Sequence, residues 1–358
     1  MPNIIQARSP FYITRTVTGG SGITKLTFKL GMNIDSSAVP TLSGNTANFT
    51  IVKNVPTLDT TNVVILDVSP FLKEFFRYLP FTYGDTRLSN NTYGGTVRFG
   101  YEILDQNEVS LQTGDYYVQD GYNYFKEGPN PNLPSNGIYL SNNYYVANKD
   151  YAFNIGVLND GTYLGATIGA TTYNFTVEDN LTTKVKQMWV YLNTYADGEI
   201  VNVIFTAAVG DPVTIQLEVR EECKYEPVNV MFLNKFGNYE VFTFFKANQK
   251  QIQTKSNTYN ANLLVAGSYD SRLHQKQRFN ISAKESISMN SGFLPESSNE
   301  TITQMLLSSH VYIVDVANND FIPINITDSS KTLQTRVNDK VINHTIRADY
   351  AFDKIQSV

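Results

Sequence analysis

The pattern of apolar and polar positions is sharpest between Val213 and Phe245. Val213, Ile215, Leu217 and Val219 alternate with Thr214, Gln216, Glu218 and Arg220. Successive side chains of a strand leave opposite faces, so this alternation predicts a half-buried strand. Two denser apolar runs follow, Val228–Leu233 and Tyr239–Phe245, separated by Asn234-Lys235-Phe236-Gly237-Asn238. Gly237 takes positive φ without steric penalty, so the spacing predicts a hairpin with a short loop. The second run is apolar on both faces, with Tyr239, Val241 and Phe245 set against Phe242 and Phe244. A strand buried on both sides needs a second layer or another subunit over it. Tyr239, Phe242, Phe244 and Phe245 are therefore candidate interface residues.

The same reading predicts strands over Phe11–Thr16, Ile23–Ile34, Phe49–Val55 and Val63–Val68. A helix over Phe71–Leu79 is expected next, with Ser69 as its cap, Pro70 at its first position and Pro80 as its stop. Strands resume at Thr96–Leu104 and Val109–Tyr117. Residues 1–127 thus read as a β-sandwich domain with one short helix. Residues 128–137 hold Pro129, Pro131 and Pro134 between Gly128 and Gly137, and read as a linker. Residues 138–358 form a C-terminal β-rich region, which would divide near 255 if it divides at all. Within it Tyr139–Tyr195 is weakly patterned, and Gly161–Gly169 reads as a loop or loose hairpin. Strands are expected at Lys186–Asn193, Val201–Ala207, Gln251–Val265, Val311–Val316, Phe321–Ile326, Thr332–Val337 and Val341–Tyr350, with a helix over Ser297–Ser309. The predicted class is mainly β: two or three antiparallel β-sandwich or jelly-roll-like domains with a few short helices.

Composition supports that class. The chain has 358 residues, of which 17% are charged and 13% aromatic, with 23 Tyr and 21 Phe but a single Trp. Tyr, Phe and Thr suit half-buried pleated surfaces. The net charge of −5 gives no electrostatic footprint for wrapping nucleic acid. A lone cysteine, Cys223, makes neither an intrachain disulfide nor a Cys-based zinc site, and is expected as a partly buried filler. No signal-peptide pattern opens the sequence and no apolar run is long enough to span a membrane, so no membrane partner is expected.

Candidate chemistry is sparse. His274, His310 and His344 match no metal-ligand spacing. Nucleophile-elbow, Walker and dinucleotide motifs are missing. Asp105-Gln106-Asn107-Glu108 is like the start of a calcium loop, but Ser110 stands where that loop needs Gly and Tyr116 where it needs Glu. Glu221 and Glu222 are adjacent and in a strand would face opposite ways. Glycosidase carboxylate pairs leave no local signature, so a depolymerase stays open as a distant rival. Neither enzymatic activity nor a cofactor or metal is expected.

Two surface features are suggestive. Arg272, His274, Lys276 and Arg278 alternate, and in a strand all four would line one face. That face is a solvated or protected edge, or a contact with acidic groups of a neighbouring subunit or with DNA passing along a channel. Arg272, Lys276 and Arg278 join the candidate interface. Tyr116, Tyr117, Tyr122, Tyr124, Phe125, Tyr139, Tyr144, Tyr145 and Tyr151 exceed the needs of one ordinary core, which suggests a protein interface or a sugar platform.

Several stretches carry a resemblance. ARSPFYI near the N-terminus, NVVILDVSPFLKEFF, ECKYEPVNVMFLNKFGNYEVFTFF, ISMNSGFLPESSNETITQMLLSSHVYIVD and the closing NDKVINHTIRADYAFDKI resemble virion structural proteins of tailed bacteriophages. The likeness is greatest to tail and neck ring proteins of crAss-like phages that infect Bacteroidota. The resemblance implies a β-rich ring or adaptor subunit of the portal–tail region, made in the host bacterial cytoplasm and built into the virion. It implies partners in copies of itself and in neighbouring tail and neck proteins, and it carries over no site residues. A receptor- or carbohydrate-binding fibre module is the alternative.

Overall fold

The computed structural model describes residues 4–33, 39–42, 47–56, 60–76, 88–90, 96–129, 137–158, 162–175, 185–315, 320–328 and 341–354. The protein is mainly β, as its composition and alternation predict. Its described strands gather around three successive cores.

The first unit contains β1 (Ile4–Gln6), β2 (Tyr12–Val17), β3 (Lys25–Asn33), β4 (Phe49–Asn54), β5 (Asn62–Asp67), α1 (Ser69–Leu72), β6 (Leu88–Asn90), β7 (Thr96–Leu104) and β8 (Ser110–Gln119). A five-stranded sheet in the order β1-β8-β7-β3-β4 faces the β2–β5 pair. Leu26, Phe28 and Leu30 of β3 point into the core, where they meet Ile13, Val17, Leu66 and Leu72 from the opposing layer. The predicted helix is shorter than its apolar stripe suggested. α1 ends at Leu72, a 3-10 turn covers Lys73–Phe75, and Phe76 turns extended with φ −82° and ψ 134°. Its cap also differs. Ser69 lies inside the helix, and the Asp67 carboxylate accepts from the Ser69 backbone N–H at 3.0 Å and from its hydroxyl at 2.8 Å.

The middle unit contains β9 (Ile138–Tyr139), β10 (Tyr144–Asn148), β11 (Phe153–Leu158), β12 (Tyr163–Ile168), β13 (Thr171–Asn174), β14 (Val185–Val190), β15 (Ile200–Ala207) and β16 (Val213–Arg220). One sheet runs β10-β16-β15-β12-β13 and the other β6-β14-β11-β9. Strand β6 therefore crosses from the first unit's stretch of chain, pairing Leu88–Asn90 with Met188–Lys186. The weakly patterned stretch hides β10, β11 and β12. Every residue of β11 is buried, so this strand shows no alternation to read.

The third unit contains β17 (Val228–Leu233), β18 (Tyr239–Phe244), β19 (Lys246–Asn260), β20 (Lys276–Pro295), α2 (Ser298–Leu307), β21 (Val311–Asp315), β22 (Asp320–Ile326) and β23 (Val341–Tyr350). Its seven strands run β18-β17-β21-β22-β23-β20-β19. Phe245 alone joins β18 to β19, which lie at opposite edges of that order, so the sheet must roll upon itself. Ile302 and Met305 of α2 fill the rolled interior with Phe232, Phe242, Phe244 and Ile346. The division of the C-terminal region falls between β16 and β17. Residue 255 lies within the continuous strand β19, because β19 pairs with β20 along its length and leaves no seam there. Linker residues 130–136 and the predicted strand at Thr332–Val337 lie outside the described residues.

The outer face of the third sheet packs on the middle unit. Met231, Tyr239, Val241 and Tyr312 share a core with Tyr151, Ala152 and Trp189. Trp189 is the chain's single tryptophan and is 1% exposed. Its fluorescence therefore reports this seam. In a urea titration, the Trp189 emission shift and the far-UV circular dichroism loss are expected to coincide, as in one cooperative body. A tryptophan transition at clearly lower urea would show that the seam opens independently.

Candidate functional site

The β17–β18 hairpin tip is where all three units meet. Asn234 makes the loop and then reaches beyond it. Its Oδ1 accepts from the backbone N–H groups of Phe236 at 3.0 Å and Asn238 at 3.1 Å. Its Nδ2 donates to the Tyr139 carbonyl of the middle unit and to Glu240, both at 3.0 Å. The next residue completes the junction. The Lys235 carbonyl accepts from Tyr122 N–H of the first unit at 2.8 Å, and the Lys235 N–H donates to Gln304 Oε1 of α2 at 3.0 Å. Its ammonium lies 4.4 Å from the centre of the Tyr124 ring and pairs with Glu127. Gly237 has φ 74°, and a Cβ there would lie 2.7 Å from the Asp120 carbonyl carbon. Only glycine allows both that backbone and that approach.

Around the tip, Arg8 grips Asp120 with two hydrogen bonds of 2.7 and 2.6 Å, and reaches Ser309 Oγ at 2.7 Å. Tyr124 donates its hydroxyl proton to Glu300 of α2 at 2.8 Å. Burial first, and then Glu300, push the Tyr124 phenol well above the usual tyrosine range.

Glu240 is the unexpected residue. It sits in the apolar run of β18 and is fully buried. Its carboxyl accepts from Ser141 N–H at 3.0 Å, Ser141 Oγ at 2.5 Å, Tyr145 Oη at 2.9 Å and Asn234 Nδ2 at 3.0 Å. Burial raises its pKa above the usual glutamate value, opposed by these donors, while burial and the neighbouring carboxyl raise Tyr145. The cluster ties the middle unit to β18. A lone acid within YEVFTFF was the visible signal for it, since charged residues are rarely fully buried unless paired.

The aromatic half of the candidate interface lies inside the chain. Tyr239, Phe242, Phe244 and Phe245 are respectively 3%, 7%, 0% and 0% exposed. The second face of β18 is covered by the chain's own middle unit, which corrects the reading of these four as a surface for another subunit. The Tyr-rich stretch is similarly absorbed. Tyr139, Tyr145 and Tyr151 are buried, which removes much of the supposed platform, while Phe125 is fully exposed. Asp105 is a turn former, accepting from Asn107 and Val109 N–H groups at 2.8 and 2.9 Å. Cys223 is exposed, against expectation, because it falls in the chain between β16 and β17.

The basic residues lie elsewhere, on a protruding arm. Beyond Thr254 and Ala283 the strands β19 and β20 leave the sheet, and no residue of 255–282 is buried. The four alternating cations do not share one strand face. Lys276 and Arg278 begin β20, while Arg272 sits in the preceding turn and forks onto Asp270 at 3.0 and 2.8 Å. His274 is also outside the strand. The arm has two unlike faces. Tyr259 and Phe279 stack edge-to-face at 5.6 Å on one, and Lys276 and Arg278 occupy the other. At the tip, Ala266 and Gly267 both have positive φ, 53° and 80°, closing a two-residue turn between Val265 and Ser268. Among the described residues no group of histidine, cysteine and carboxylate side chains could hold a metal ion.

No family model and no curated protein matches the chain. Among solved structures, it is similar over 97% of its length to 93% of a chain from work on host cell surface retention of a 1.5-MDa bacterial ice-binding adhesin. The identity is 12% and the TM-score 0.17.

Gly237→Ala is expected to destabilise the protein by about 3 kcal/mol, since it meets both positive φ and the backbone of Asp120. Gly267→Ala, with φ 80° and open space around it, should cost about 1 kcal/mol. Urea unfolding of the two variants checks the difference, and equal losses would contradict the junction. Glu240→Ala should cost about 3 kcal/mol by stranding buried donors. Because the folded carboxyl titrates above the unfolded one, its contribution is complete below the unfolded value of about 4.3 and declines as pH rises through the folded value. Glu240→Gln should therefore gain on the wild type as pH rises above the unfolded value of about 4.3; a pH-independent difference in unfolding free energy would count against the buried charge.

Proposed function

We propose that the chain is a structural virion protein of a tailed bacteriophage, a ring or adaptor subunit of the portal–tail region. It acts by assembling with copies of itself and with neighbouring tail and neck proteins, and it performs no catalysis. The observation that carries the reading is the arm. Residues 255–282 hold seven of the 22 large apolar side chains exposed among the described residues. A two-stranded ribbon is marginal in water on its own, and a concentration of exposed apolar groups marks an interaction site. A packed body with such an extension suits a subunit that is completed by its neighbours. The resemblance to crAss-like phage ring proteins points the same way. A receptor- or sugar-binding role has less support, because so many of its tyrosines are structural.

Mass measurement by light scattering and negative-stain microscopy test the proposal. The full chain at tens of micromolar should form closed rings of identical copies. A strictly monomeric chain, also absent from purified virions, would overturn it.

A further inference from the structure

The arm and the middle unit are opposite in charge. Residues 255–282 contain four Lys and Arg and one Asp, a net of +3 on a chain of net −5. Residues 128–227 contain five Lys and Arg against eleven Asp and Glu, a net of −6. The acidic groups are on the surface: Asp150, Asp197, Glu199, Asp211, Glu221 and Glu226 are all exposed. Asp197, Glu199 and Glu221 gather at one end of the β15–β16 hairpin, where Asp197 accepts from Glu221 N–H at 2.8 Å.

On the arm, Tyr259 and Phe279 form an aromatic face at the back of the Lys276–Arg278 face. No residue of 255–282 is buried against the chain's own middle unit. The ten steps from Lys255 to Val265, at no more than about 3.3 Å each, give the arm a reach of up to about 30 Å. That suffices to cross onto an adjacent molecule.

We infer that the arm of one copy docks on the acidic end of the β15–β16 hairpin of a second copy, with Lys276 and Arg278 turned toward the carboxylates of Asp197, Glu199 and Glu221 and with Tyr259 and Phe279 on the arm's other face. Each copy then offers one arm and one receiving face. The two patches differ, so the contact is head-to-tail, and repetition closes a ring when the rotation per copy allows. This inference rests on the proposed assembly role and names the surface that would carry it.

The experiment removes the arm cleanly. Thr254 and Ala283 are paired directly across the two strands, so replacing 255–282 by Asn-Gly closes a two-residue turn at that rung. Circular dichroism and Trp189 emission check that the body is folded. Sedimentation of the full chain should show a multimer and the shortened chain a monomer. The double variant Lys276→Glu, Arg278→Glu should raise the dissociation constant at least tenfold at low salt, and added salt should weaken the wild-type contact in the same direction. Carbodiimide cross-linking of mixed light and nitrogen-15 protein should join Lys276 of one copy to carboxylates of 128–227 in another. A multimer that survives arm removal, or intermolecular cross-links confined to other units, overturns the inference while leaving the ring reading intact. A monomeric full chain overturns the inference, and one also absent from purified virions overturns the ring reading as well. A monomer whose arm binds duplex DNA with strong salt dependence assigns the basic face to nucleic acid instead and likewise overturns it.

Discussion

The fold depends on satisfying buried polar groups at one hairpin tip. A loop pressed between three packed units has no water to bond its N–H and C=O groups, and each one left unpaired would cost about 1–3 kcal/mol. Asn234 answers two loop donors with its oxygen and spends both amide hydrogens on groups outside the loop. Lys235 offers its carbonyl to the first unit and its N–H to α2. The apolar seams around this point give most of the attraction, yet they are non-directional. The amide and carboxyl contacts set the angles at which the sandwiches meet.

Position follows from that constraint. With the tip fixed, β18 lies with its inner face on the rolled core and its outer face on Trp189 and Tyr151. The arm leaves from the opposite edge of the same sheet. Rigidity in the body and projection in the arm are thus products of one strand order.

Legibility in the sequence tracked local pattern. β15 and β16 alternate because one face of each is buried and the other faces water or is half-buried. The β17–β18 hairpin was readable from Gly237 and its flanking apolar runs. β11 was not, because burial on both faces erases the alternation. The run 239–245 is apolar on both faces, but Tyr239 is covered by Tyr151 and Trp189 far upstream and Phe242 and Phe244 by Ile287, Ile302 and Ile346 far downstream, and contacts of that kind leave no periodic trace. The alternation of cations at 272–278 suggests a single strand face, whereas the Asp270 fork holds Arg272 in a turn. For the candidate interface, then, the pattern locates two hairpins but does not say which of their side chains face outward.

The single-residue connection at Phe245 has a consequence for how the chain comes together. During synthesis the middle unit emerges with Tyr151 and Trp189 uncovered, and β17 and β18 can pair as a local hairpin soon afterwards. The rolled core, however, needs β23, whose partner strand β20 begins with residue 276. Pairings this distant in sequence are slow to form. The hairpin that locks all three units is therefore available early as a cover for the middle unit, long before its own sheet can close. Completion of the molecule waits on its last described strand, and a chain halted before Val341 would carry a finished junction over an unfinished sheet.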